Sequence, residues 1–467
     1  MLGIGLYFFV RSKNAGEKDF FLGGRNMGAW VSALSAGASD MSAWVLMGLP
    51  ASIYALGMGQ TWIAIGLGIG YALSWFFVAP RLRRFSIVAN DSITIPQYLT
   101  NRFLSKSKAL QILCAVIFLV AYTVYAASSI KACGTLFNIV MGVDATIAMY
   151  IAAFIIVAYT FLGGFSAVCW TDFFQGLIML AALLVAPILA LVLVSRGAGA
   201  EGVVLPENFF NFVTSPQDII SGLGWGLGYF GVPHIIIRFM SIKSEKELRK
   251  SRVIGISWTT IILVMSALTA VASRLYLGEI SDPSVVFITM VRRISPGLFS
   301  GLLLSAILSA AMSTADSQLL AASSSFASDV YKPVIRKNAS DKEMLWASRL
   351  IVIAIAFIAL LIAANPNSGT IMGLVENAWG VFGAAFGPVI LLSLFWKRLT
   401  FAGAATGIAV GAIVDIGWLI LLSSTGIYEI IPGFAAGLIA AVVVSLLDKK
   451  PDAEVEALFD RAANSEV

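Results

Sequence analysis

The sequence is poor in the residues that most chemistry needs. It holds one histidine, His234, and three cysteines, Cys114, Cys133 and Cys169, which all fall in apolar stretches and form no CxxC pair. Histidine-based triads and zincin motifs are therefore excluded, and neither a disulfide framework nor a metal site is indicated. No GxxxxGK[ST] loop is present to cradle a phosphate. Charge is scarce as well, at 12% of residues against roughly 25% in a soluble domain. An enzyme or a nucleotide-driven pump is not expected.

What the sequence has is apolar length. Hydrophobic residues make up 59% of the 467 positions, and 42 more are glycine. Apolar stretches recur from end to end, and about 20 residues at ~1.5 Å each cross a hydrocarbon layer of ~30 Å. The pattern predicts an all-α membrane protein with crossings at 1–11 (partial), 27–57, 60–82, 107–137, 145–162, 165–195, 218–241, 252–276, 297–328, 344–364, 370–395, 401–423 and 427–446. The apolar run of the first stretch ends at Arg11, about half a bilayer, and is read as the end of a longer helix rather than a signal peptide.

Of the 31 lysines and arginines, all but Lys131, Arg196, Arg274, Arg292 and Arg293 fall in alternate connections or their flanks when the Arg11 side is cytoplasmic. That asymmetry predicts the topology and places the chain in a bacterial inner membrane with its 447–467 tail inside. It also accounts for the net charge of +5 without a nucleic-acid partner. The lipid bilayer is the expected surrounding, and no obligatory protein partner is evident. The chain reads as a single domain.

Two spans carry helix breakers in mid-membrane. The first, 27–57, contains Ser35, Gly37, Ser39, Asp40, Ser42, Gly48 and Pro50, and the second, 218–241, contains five glycines from Gly222 to Gly231 and then Pro233. Glycine costs a helix interior about 1 kcal/mol and proline about 3 kcal/mol. Irregular backbone at membrane depth persists only where it is buried or lines a cavity. The two spans lie five crossings apart, as the opening helices of two inverted repeats, 27–195 and 218–395, would. The glycines also fit close helix packing. Asp40 adds an ionisable group inside the first break, which points to function at a cost of several kcal/mol, or to capping of the broken end.

The runs ALSAGASDMSAW (33–44), GWGLGYFGVPHIIIRFM (224–240), LLSAILSAAMSTADSQLL (303–320), FGAAFGPV (382–389) and YEIIPGF (428–434) resemble the sodium/solute symporter family, in particular its sodium/proline branch. The resemblance implies a LeuT-type five-plus-five inverted-repeat helix bundle, with one extra helix before it and two after it (401–446). It also implies symport of Na+ and L-proline into the cell by alternating access. By the same resemblance, sodium is held by the carbonyls of Ala38, Met41 and Ala310 and the hydroxyls of Ser313 and Thr314. Such an oxygen-only set suits a hard cation, whereas the hydroxyls taken alone fit bonding to the preceding helical turn equally well.

Asp40 matches the family's essential aspartate, while Asp172, Asp316 and Ser317 match a second cation position used by some relatives. The proline pocket implied is Trp225, Tyr229 and Pro233, spaced by four on one helix face, with Tyr125 opposite and Ser42 at the first break. Aromatic walls suit a pyrrolidine ring and its charged amine. Lys131 and Glu376 depart from the branch pattern, and their matching depth of ~9 Å suggests an ion pair across an outer gate. The competing readings are another small amino acid, a carboxylate or a sugar as substrate, or a membrane sensor or channel.

Overall fold

A computed structural model describes residues 2–11, 17–200, 203 and 205–465. Met1 and Lys13 lie outside the described residues. Helices α1 (Leu2–Arg11) and α2 (Glu17–Leu22) precede the first broken span, formed by α3 (Ala29–Asp40), a 3-10 turn (Ala43–Val45) and α4 (Gly48–Leu56). Then α5 (Thr61–Leu73) runs through a π-turn into α6 (Ala79–Val88), and α7 (Ile95–Arg102) fills the connection to α8 (Ala109–Met141). The long α9 (Ala145–Ser195) bends at Gly164, whose φ of 60° is a conformation glycine adopts without penalty.

The second broken span is α10 (Pro216–Gly224), a 3-10 segment (Trp225–Phe230) and α11 (Pro233–Ser241), bent by 43°. There follow α12 (Glu245–Leu277), α13 (Val286–Ile294), α14 (Gly297–Ser325), α15 (Asp341–Ala364), α16 (Ile371–Phe395), α17 (Phe401–Leu421), α18 (Ile430–Leu447) and α19 (Ala453–Asn464). Among the described residues nine helices are long and apolar enough to cross a membrane, or ten if the bent pair is one span. Spans 27–57 and 145–162 fall short of that length because the breaks at Met41–Ser42 and Gly164 leave only short apolar pieces.

The core is built round the two breaks. α3 packs on α9, α11, α12 and α14, while the 3-10 segment 225–230 packs on α5 and α16. Most glycines of 222–231 serve close approach rather than unwinding. A Cβ on Gly226 would strike the carbonyl of Gly66, and one on Gly228 would strike the Trp379 indole. The backbone leaves the helical path after Phe230, at Gly231 and Val232, and Pro233 restarts it as α11, a position where a proline's missing N–H costs nothing.

Helices α2, α7, α13 and α19 lie outside the expected crossings. The tail residues Val455, Leu458, Phe459 and Ala462 bury one face of α19 against α6 and α7, where the Arg102 guanidinium lies 4.8 Å from the Phe459 ring. α13 fills the connection between α12 and α14 with an apolar face of Val286, Phe287, Ile288, Met290 and Val291.

Candidate functional site

The first break opens an oxygen-lined corner. The last ladder bond of α3 runs from Met41 N to Gly37 O (2.9 Å), after which Ser42 N turns back to Asp40 O (2.8 Å). Ser42 N is the group that would have bonded Ala38 O in a continuous helix. Freed, Ala38 O accepts the Ser313 hydroxyl from α14 (2.7 Å), and the same hydroxyl lies 3.2 Å from Ala310 O. Met41 has helix-ending angles, φ −77° and ψ 74°. Thr314 is fully buried, and its Oγ1 has no hydrogen-bond partner, so it does not bond to the preceding turn.

Asp40 joins this corner to the second break. Its Oδ2 accepts the Tyr229 hydroxyl, its carbonyl accepts Trp44 Nε1 (3.2 Å), and its buried Oδ1 is unpartnered. Ser42 Oγ accepts from Trp44 N at 3.5 Å.

The aromatic residues are not on one helix face. Residues 225–230 wind as a 3-10 helix, with about three residues per turn, so positions four apart diverge instead of aligning. Trp225 lies against Tyr428 (5.0 Å between centroids), whereas Tyr229 packs on Tyr71 and Trp379, each at 5.1 Å. Trp379 Nε1 also donates to Trp225 O (2.9 Å). Pro233 is buried at the start of α11. Tyr125 is buried with its hydroxyl unpartnered, and its ring lies 6.2 Å from that of His234. Trp225 is 3% exposed and Tyr229 and Tyr125 are 0% exposed, so all three rings are packed away from solvent in this state.

Below them lies a group that the sequence reading assigned to the basic cytoplasmic side. Arg238 is buried, 1% exposed, and its Nη2 pairs with Asp172 Oδ2 (3.2 Å). Its Nε donates to Ser35 Oγ (3.1 Å) and Nη2 also to Ser317 Oγ. Ser35 and Ser317 further donate to Asp172, at 2.7 and 3.4 Å, and Ser317 lies 3.3 Å from Asp316 Oδ1. Asp172, Asp316 and Ser317 are thus brought together, with Asp172 Oδ2 paired to a guanidinium and its buried Oδ1 without a hydrogen-bond partner. The signal was an arginine directly after three isoleucines, in HIIIRFM.

Lys131 and Glu376 do not pair. α8 continues to Met141, where the left-handed Gly142 ends it, so Lys131 lies ten residues from that end and not six. Its ammonium donates to Ser368 Oγ (3.1 Å) and Gly369 O instead.

The basic end is closed by ion pairs. Arg25 binds Asp91 (2.8 Å), Ser86 Oγ (3.0 Å) and the carbonyls of Met240 and Ser92 (2.7 Å each), and Lys18 joins the same carboxylate. Burial alone pushes the Asp91 carboxyl up, but Lys18 and Arg25 outweigh it and hold it below the ordinary carboxylate range. Glu17 receives Lys332 and Ser328, each at 2.6 Å.

Comparison with known proteins bears on the family and the fold. The sodium:solute symporter family model matches residues 20–411. The chain is 45% identical over 469 residues to the high-affinity proline transporter PutP of Bacillus subtilis (strain 168), covering 98% of each. It is 42% identical to the sodium/proline symporter of Haemophilus influenzae, covering 99% of this chain and 95% of that one. Among solved structures, a Na+-coupled sialic acid symporter in a substrate-bound outward-open state superposes with a TM-score of 0.79 at 20% identity, covering 97% and 96%. The nucleobase-cation-symport-1 transporter Mhp1, closed on bromovinylhydantoin, gives 0.56 at 16%, covering 95% and 97%. The fold is the LeuT-type bundle.

Proposed function

The chain belongs to the sodium:solute symporter family, a family of transporters and not of enzymes, and from that premise we propose that it carries L-proline into the cell together with Na+ by alternating access. The observation that supports this most is the corner at the first break, where the Ser313 hydroxyl meets the Ala38 and Ala310 carbonyls and the buried hydroxyl of the next residue, Thr314, has no hydrogen-bond partner. Neutral oxygens at that count fit a monovalent hard cation. The relatives named for proline transport, 42–45% identical over nearly the whole chain, support the substrate.

In this reading sodium enters between α3 and α14 and takes the Ala38, Met41 and Ala310 carbonyls and both hydroxyls as ligands. Ser313 then turns its lone pairs to the ion and gives up its bond to Ala38. Proline takes the place between Tyr125, Trp225, Tyr229 and Pro233, its ammonium near Asp40 and the ring faces, its carboxylate on amides freed around Ser42. The Asp40 to Tyr229 bond lets each ligand sense the other. Residues 27–195 and 218–395 act as the two repeats, with the Arg11 side cytoplasmic in the inner membrane of a bacterium. Opening inward then requires release of the Arg25, Asp91 and Glu17 contacts.

Uptake of labelled proline into sealed vesicles, with and without an imposed sodium gradient, tests the reading. Accumulation is expected only with the gradient. Equal uptake without sodium, or none in either condition, overturns it.

A further inference from the structure

Three carboxylates converge at the end of the bundle where α16 and α18 begin. A Cβ on Gly380 would sit 2.9 Å from Asp415 Oδ1 and 3.3 Å from Glu429 Cγ, so glycine there leaves room for two acids. Glu376 lies one helical turn earlier on α16, and its carbonyl accepts the Tyr428 hydroxyl (2.9 Å). Asp415 is 1% exposed and Glu429 6% exposed. Neither oxygen of Asp415, nor Oε1 of Glu429, has a hydrogen-bond partner. Among the described residues no ion pair includes any of the three.

Charged groups on the packed elements are engaged elsewhere. Lys131 of α8 is held by Ser368 and Gly369, and Asp218 of α10 accepts from Thr214. Arg81 and Arg102 bond the Leu394 and Ser393 carbonyls at the far end of α16. Like charges in a shared buried space cannot all ionise, and their protons come off as those of a unit.

We propose that Glu376, Asp415 and Glu429 form a proton-binding site that makes the packing of α16, α17 and α18 depend on pH. A carboxyl that keeps its proton donates to a neighbouring carboxylate and removes one of the repelling charges. As pH rises the proton is lost, repulsion grows, and the assembly loosens. The effect reaches the aromatic wall, because Tyr428, next in the chain to Glu429, donates to the backbone carbonyl of Glu376 and lies on Trp225 through its ring.

The test needs no substrate, so it stands apart from the proline reading. Thermal midpoints of the purified full chain in detergent are measured from about pH 6 to about pH 9 for the wild type, Asp415→Asn and a Glu376→Gln plus Glu429→Gln double variant. The wild-type midpoint is expected to fall by about 5 °C more than that of either variant across this range. Parallel pH profiles in wild type and variants overturn the proposal. Should Asp415→Asn fail to fold, the double variant carries the same comparison.

Discussion

The two broken spans end their helices by different means, and the difference matches what each is suited to hold. At the first, small polar residues around Asp40 stop the ladder, and Ala38 O is handed to a hydroxyl on another helix. At the second, glycines bring the backbone against α5 and α16, and the surrounding side chains are aromatic rings. A cation needs oxygens at short range, which main-chain carbonyls supply only when a helix is interrupted. An amphipathic ring with one charged group needs wide apolar walls and few polar contacts. At the breaks themselves, the Tyr229 hydroxyl donates to the Asp40 carboxylate and joins the two.

Replacing the residue that serves both should do the most damage. Asp40→Asn is expected to lower sodium-driven proline uptake by about 100-fold or more, since it removes the carboxylate that accepts the Tyr229 hydroxyl. Initial rates in vesicles at matched protein levels check this. Near-normal uptake would leave the two breaks without their link.

Thr314→Ala should raise the sodium concentration for half-maximal uptake by about 10-fold, as loss of one oxygen to a charged group costs roughly 1.5 kcal/mol or more. The proline response at saturating sodium should stay within about 2-fold. Trp225→Ala should do the reverse, raising half-maximal proline by about 5-fold through lost ring contact while leaving the sodium response in place. If the two variants have the same signature, the division of labour between the breaks is wrong. The smallest effect is expected for Lys131 and Glu376. A double-mutant cycle with Lys131→Ala and Glu376→Ala should be additive within about 0.5 kcal/mol, because the ammonium sits on Ser368 and Gly369.

Both breaks were legible because Gly, Pro and Asp interrupt otherwise apolar runs, a conflict that local propensity makes visible. The bundle and its spans followed from apolar length. Pairings between distant residues were not legible. Nothing near Arg238 in the chain announces Asp172, 66 positions away, and the positive-inside pattern counted the arginine among the loop charges although it is buried. Only the fold sets Trp379, Tyr71 and Tyr428 against Tyr229 and Trp225. The one-face reading of Trp225, Tyr229 and Pro233 failed because spacing by four has meaning only in an α-helix, and residues 225–230 are wound more tightly. The tail helix was overlooked because its apolar positions, 455, 458, 459 and 462, are diluted by charge.

The central claim is that the two breaks hold different ligands and are coupled through Asp40 and Tyr229. Equilibrium binding of radiolabelled sodium to the purified protein, with and without saturating proline, tests it in wild type and in Tyr229→Phe, which keeps the ring and loses the hydroxyl. In the wild type proline should tighten sodium binding by about 5-fold or more, and in the variant the factor should fall toward one. An undiminished factor in Tyr229→Phe, or no effect of proline on sodium in the wild type, would contradict the account.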